Sequence, residues 1–132
     1  IGRILADVTG HTESSLFKAH VSHWEEKPKA LDSKKTVMMM SIIVSNGSQH
    51  WSIYRRYEQF EKLESGLKKK GVLQQWDATL KTLGKPSDPA LLRDVLNRYL
   101  MYLLRNPVIQ AHHYLHNFLM PVRHCIFKNK YP

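Results

Sequence analysis

The sequence predicts an α+β fold in which a three-stranded antiparallel β-meander packs against a helical subdomain. Three observations lead there. Three stretches of the first half are rich in β-branched, aromatic or other large apolar residues, and Asn46-Gly47 joins the last two. Within His50–Lys70 the apolar period changes from two to about 3.6 residues. Beyond Gly71, two further helical patterns are punctuated by Asp88-Pro89, Asn106-Pro107 and Pro121.

In chain order, Ile1, Ile4, Leu5 and Val8 form a short apolar patch compatible with a strand or a turn. Leu16, Phe17, Ala19 and Val21 mark a first strand within Ser14–Ser22, and Trp24–Lys35, dense in Glu and Lys, reads as a solvated connection. Thr36–Ser45 runs through Val37, Met38, Met39, Met40, Ile42, Ile43 and Val44, the pattern of a strand covered on both faces. Asn46-Gly47 is a strong hairpin signal and pairs this strand antiparallel with His50–Tyr54, where Trp51, Ile53 and Tyr54 interleave with His50 and Ser52. Tyr57, Phe60, Leu63 and Leu67 then recur at helical spacing, with Glu58, Gln59, Glu61 and Lys62 facing away, until Gly71 stops the helix.

Lys68–Lys70 falls at that helix's C-terminus, where cations suit the dipole and where a membrane contact is equally compatible. From Val72 to Lys85 apolar and basic residues alternate without clean periodicity. Asp88 as N-cap and Pro89 at the first helical position open a helix through Arg105 that buries Leu92, Val95, Leu96, Tyr99, Leu100 and Leu103. A final helix from Val108 to about Met120 brings Ile109, Tyr114, Leu115, Phe118 and Leu119 to the core, and Pro121 closes it.

Composition narrows the function. With 132 residues, 42% of them hydrophobic, the chain builds one core, so a single domain over 1–132 is expected, with its core at about 14–120 and a basic tail at 121–132. Twenty basic residues against 11 acidic ones, a net charge of +9, favour an anionic partner. The lone Cys125 excludes an internal disulfide and points to a reducing, cytosolic setting. No run approaches the ~20 apolar residues of a membrane span, and the start at Ile1 without methionine suggests a piece of a longer protein.

The join between strand and helix is where chemistry concentrates. Arg55 and Arg56 sit beside a helix N-terminus, whose unpaired N–H groups and dipole favour an anion. A guanidinium adds a planar fork of donors that fits two phosphate oxygens, and Tyr57 offers a ring face alongside. Taken alone, the same arginines read as a surface pair bridging Glu58 or Glu61.

Arg55-Arg56-Tyr57-Glu58-Gln59-Phe60, following a strand and opening a helix, resembles the signature of the phosphoinositide-binding PX (phox homology) domain. The resemblance implies a PX-like fold, a grip by Arg56 on the 3-phosphate of the lipid, packing of Tyr57 on the inositol ring, and a mainly structural Arg55. It also implies a headgroup lysine in the loop after the motif helix, for which Lys81 is the nearest match, and bilayer-contacting residues among Val72, Leu73, Trp76 and Lys85, although Val72, Leu73 and Trp76 are equally compatible with a place in the core. The prolines that normally precede that lysine are missing here. PX domains selective for 3-phosphorylated inositides carry another arginine in the long helix, seven residues before an aromatic and four before a leucine; counting back from Tyr99 and Leu96 gives Leu92. Arg93, the remaining candidate headgroup ligand, is rotated about 100° from that position. His50–Tyr57 and the displaced arginine are most similar to sorting nexins that carry the PX domain after an RGS-type domain. The partner implied is a phosphoinositide or other anionic membrane, reached from the cytoplasm by an isolated domain that is monomeric and peripheral on endosomal or other intracellular membranes.

The alternative is a PX-fold protein-interaction scaffold with a degenerate lipid pocket, which Leu92 favours. Nucleic acid is not expected, because charge alone speaks for it and no RNP, GXXG or zinc-finger pattern is present. Neither an enzyme nor a cofactor is expected. The sequence has no Gly-rich phosphate loop, no G-x-S-x-G elbow and no convincing carboxylate pair. His112, His113 and His116 lack the carboxylate and second Cys that would make a metal site.

Overall fold

Alternation of apolar and polar side chains builds the sheet. In the computed structural model, which describes residues 16–29, 34–74 and 79–121, strands β1 (Phe17–Pro28), β2 (Thr36–Asn46) and β3 (Gln49–Arg55) form an antiparallel sheet in the order β1-β2-β3. Register places Val21, Ile42 and Ile53 in one cross-strand row and Ala19, Val44 and Trp51 in the next, so a single face carries the sheet's buried residues. The opposite face carries His20, Ile43 and Ser52, and Ile43 is 41% exposed. The expectation that β2 is covered on both faces is therefore corrected: helices pack on one side of this antiparallel sheet.

The hairpin forms with Asn46 paired to Gln49 and Gly47-Ser48 as its loop, Gly47 taking φ 64°. β1 is longer than its apolar row indicated. Trp24–Pro28, expected as part of a solvated connection, pairs with Thr36–Met40 after a register shift between Val21 and His23. Its charged residues find partners across the ribbon. Glu25 Oε2 meets His23 Nε2 at 2.7 Å and accepts from the Tyr54 hydroxyl at 3.1 Å, while Lys27 Nζ lies 4.2 Å from the Tyr54 ring centre.

Helix α1 (Tyr57–Lys69) buries Phe60, Leu63 and Leu67 and ends in a Schellman turn: Val72 N–H donates to Leu67 O at 3.1 Å, Gly71 N–H to Lys68 O at 3.0 Å, and Gly71 takes φ 75°. A short helix α2 (Leu80–Leu83), unseen in the sequence, is closed by reciprocal bonds between Thr79 and Thr82 and tied to α1 by Leu80 N–H donating to Glu64 Oε1 at 2.8 Å. Helix α3 (Pro89–Arg105) starts at the expected cap, Asp88, and buries the expected side.

The expected final helix is two: α4 (Pro107–Gln110) and α5 (His113–Leu119). His112 breaks it by accepting from Tyr114 N–H through Nδ1 at 3.1 Å, and the His116 ring satisfies the freed Gln110 carbonyl at 2.7 Å. Side chains of the helical half also close the edge of β1. Asn97 accepts from Val21 N–H at 2.8 Å, and Gln110 both accepts from Phe17 N–H at 2.8 Å and donates to Phe17 O at 3.2 Å. The opening apolar patch, Trp76, Cys125 and the basic tail from 122 onward lie outside the described residues.

Candidate functional site

Strand alternation separates the two arginines of the join. Arg55, the last residue of β3, sits opposite Met40 on the buried face and is 2% exposed. Its Nε donates to Phe118 O at 2.8 Å, Nη1 to Tyr54 O at 2.8 Å and Nη2 to Met120 O, so it ties β3 to the end of α5. Arg56 is the N-cap of α1 with extended backbone (φ −89°, ψ 162°), and its N–H donates to Gln59 Oε1 at 2.7 Å. Its backbone is thus fixed while its half-buried guanidinium has no ion pair among the described residues.

Arg56 lines a cleft of about 160 Å³ together with Val37, Met38, Met40, Tyr57, Glu58, Lys85 and Leu92. Lys85 Nζ stands 4.4 Å from the centre of the Tyr57 ring, a cation–π contact that brings a second positive charge to the cleft. Gly84, at φ 84°, is the bend that precedes Lys85. Burial, then the Glu61 and Glu64 carboxylates, hold the Tyr57 phenol above its ordinary pKa, so it stays neutral. Leu92, 1% exposed, forms an apolar wall of the cleft.

The structure brings Arg56, Tyr57 and Lys85 together in one cleft, to whose lining Lys81 and Arg93 do not contribute. Lys81 shares Tyr57 with them but lines a neighbouring groove, with Glu61, Glu64 and Lys68. Arg93 points to the sheet: Nη1 donates to Val21 O at 2.6 Å beside the β1 register shift, and Nη2 meets Asp94. Leu73 is 3% exposed and belongs to the core, which corrects its reading as a bilayer contact. Val72 is half-buried against the same core as the apolar residue of the Schellman turn. The approach of Lys85 to Tyr57 was not expected from the sequence, where its one local signal is the turn chemistry of Gly84-Lys85-Pro86.

No group of three or more His, Cys, Asp or Glu side chains among the described residues is arranged to hold a metal ion. His112 and His113 stack at 4.7 Å, and burial, followed by the charges of His113 and Lys70, pushes His112 below its ordinary pKa. Among the described residues no helix is long and apolar enough to cross a membrane.

A three-stranded meander, an arginine pair at the strand-to-helix join and a cleft with two cations around a tyrosine define the class: an α+β module with a basic pocket. The model of the PX domain matches residues 43–122, and the chain belongs to that family, whose members are generally phosphoinositide-binding, membrane-targeting modules. The rat and mouse serine/threonine-protein kinases Sgk3 are each 30% identical to it over 92 residues, 67% of this chain and 18% of theirs. The chain thus spans less than a fifth of the length of these curated relatives. Among solved structures, a designed CISK-PX domain superposes with a TM-score of 0.60 at 20% identity, covering 78% of this chain and 98% of that one, which establishes likeness of fold.

Proposed function

We propose that the chain docks a larger trafficking or membrane-tethering protein on anionic membranes by taking an inositide headgroup phosphate between Arg56 and Lys85, with the sugar ring against Tyr57. The observation that carries this reading is the convergence of an Arg56 guanidinium, which makes no ion pair among the described residues, and a Lys85 ammonium on one tyrosine-lined cleft. Lys85 takes the headgroup role for which Lys81 and Arg93 were the sequence candidates, and Trp76 remains the bilayer-contact candidate.

Binding is weak and only modestly selective for the 3-phosphate. The cleft is smaller than the roughly 300 Å³ of an ordinary ligand pocket, Leu92 stands where a further arginine would add a second grip, and Glu58 on the rim repels phosphate. Charge therefore supplies a larger share than stereospecific contacts, about 1 kcal/mol per Lys or Arg near an anionic surface. The domain acts as a single monomeric unit from the cytoplasm, on endosomal or other intracellular membranes, in the manner of the RGS-containing sorting nexins.

Liposome co-sedimentation of wild type, Arg56→Ala and Leu92→Arg, across inositides at low and physiological salt, tests this. The expected result is weak binding that salt attenuates and Arg56→Ala diminishes. A second reading, a protein-interaction scaffold, draws on the apolar Leu92 wall. Absence of binding to every anionic liposome at low salt would decide for it.

A further inference from the structure

A second, larger cavity lies on the other flank of α1. It is a groove of about 650 Å³ between α1 and α5, into which Arg56, Gln59, Lys62, Lys69, Tyr114 and Asn117 project. Around the helix, Lys62, Gly66 and Lys69 stand roughly opposite Tyr57, Glu61 and Glu64. The two flanks therefore differ in sign. On the Glu61 side Lys68 is paired with Glu64 at 3.6 Å, whereas no carboxylate among the described residues lines the α5 groove. Lys62 and Lys69 are exposed and make no ion pair among the described residues.

Gly66 lets the two helices close up. A Cβ there would lie 2.9 Å from two carbons of the Tyr114 ring, so the ring packs directly on the α1 backbone and supplies one wall of the groove. Asn117 and Gln59 add neutral hydrogen-bonding groups. Arg56 to Lys62 spans about 9 Å of helix and Lys62 to Lys69 about 10.5 Å, the latter pair falling within about 20° of one line along α1. Three cations spread over that length suit several phosphates on a compact scaffold better than one phosphate, and the volume is that of a small-molecule site.

We propose that the α1–α5 groove is a second anion site that takes a polyphosphorylated inositol ring, either free in solution or as a lipid headgroup. Lys62 and Lys69 hold its phosphates, Tyr114 and Asn117 position the ring, and Arg56 is shared with the Leu92 cleft. The proposal rests on Lys62 and Lys69, which do not line the Leu92 cleft, so its failure is distinguishable from failure of the reading of that cleft.

Calorimetric titration with inositol hexakisphosphate tests the free ligand, and vesicles containing phosphatidylinositol bisphosphate test the headgroup. Three proteins are compared with wild type: Lys62→Gln/Lys69→Gln, Lys85→Gln from the other cleft, and Lys18→Gln/Lys34→Gln, which removes the same charge at residues that do not line the groove. The expected result is at least a tenfold loss of affinity in the groove variant in at least one of the two assays, with less than threefold in Lys18→Gln/Lys34→Gln; Lys85→Gln reports the Leu92 cleft separately and is expected to weaken vesicle binding through it. Whichever assay shows the groove variant's loss names the source of the ligand. Equal losses in the groove and remote variants would reduce the effect to diffuse charge and overturn the site. Loss in Lys85→Gln alone would also overturn it while leaving the Leu92 cleft standing, and so would no effect of the groove variant in either assay.

Discussion

Arg55 and Arg56 are consecutive residues of the same type, yet one belongs to the interior behind β3 and the other to an open cleft before α1. Behind β3, a guanidinium is fully engaged by main-chain carbonyls at the end of α5. In front of α1, the backbone is held and the charge is left for solvent or a ligand. The difference arises from the strand's own geometry, because alternate side chains of β3 face opposite ways and the inward one must be paired to be tolerated. A doubled arginine at such a join divides into a fastener and a receptor.

Four experiments break or sharpen that comparison. The interior should be the costliest place to disturb: Phe60→Ala, which empties space beside Phe118 at a ring separation of 4.9 Å, should cost about 3–5 kcal/mol in denaturant unfolding. Arg55→Ala should follow at about 2–4 kcal/mol, since it orphans carbonyls at the end of α5. If thermal melts show Arg55→Ala to be as mild as a surface change, the division between fastener and receptor fails.

Tyr99 probes the interior from the opposite direction. Its hydroxyl is buried with no hydrogen-bond partner among the described residues; Glu64 is near enough to act through its charge but makes no bond of good geometry to it. Burial, then Glu64, holds the phenol well above its ordinary pKa, so the fold favours the neutral form. That contribution is complete below the unfolded value of about 10 and is lost as pH rises above it toward the folded value. Tyr99→Phe should be neutral or stabilising by about 1 kcal/mol near neutral pH, and should lose less stability than wild type in alkaline unfolding. The smallest effect is expected outside: Arg56→Ala should stay within about 0.5 kcal/mol of wild-type stability while weakening inositide preference in co-sedimentation. Unfolding of that variant would make Arg56 a second fastener.

Much of this arrangement was legible in the chain, and the reasons are local. α1, α3 and the β2–β3 hairpin carry their own punctuation in Gly71, Asp88-Pro89 and Asn46-Gly47, so pattern and structure agree there. What stayed hidden depends on partners distant in sequence. The strand character of Trp24–Pro28 comes from pairing with β2 and from cross-strand ties to Tyr54, which charged residues do not advertise. The break at His112 rests on a ring replacing a backbone acceptor, and the burial of Leu73 on the Schellman turn that folds it back. At the site, Arg56 and Tyr57 were readable from a motif fixed to one turn of helix, whereas the approach of Lys85 to the Tyr57 ring depends on how an aperiodic loop returns to α1.

The bonds that Asn97, Arg93 and Gln110 make to Val21 and Phe17 change what kind of edge β1 is. An outer strand normally exchanges its amide protons quickly and offers them to any passing strand. Here two of those amides are occupied by side chains rooted in α3 and α4, so Phe17 and Val21 should exchange with deuterium at rates typical of an interior strand. The same occupancy removes a template for strand addition, so self-association by sheet extension at that end requires the helical half to peel away first.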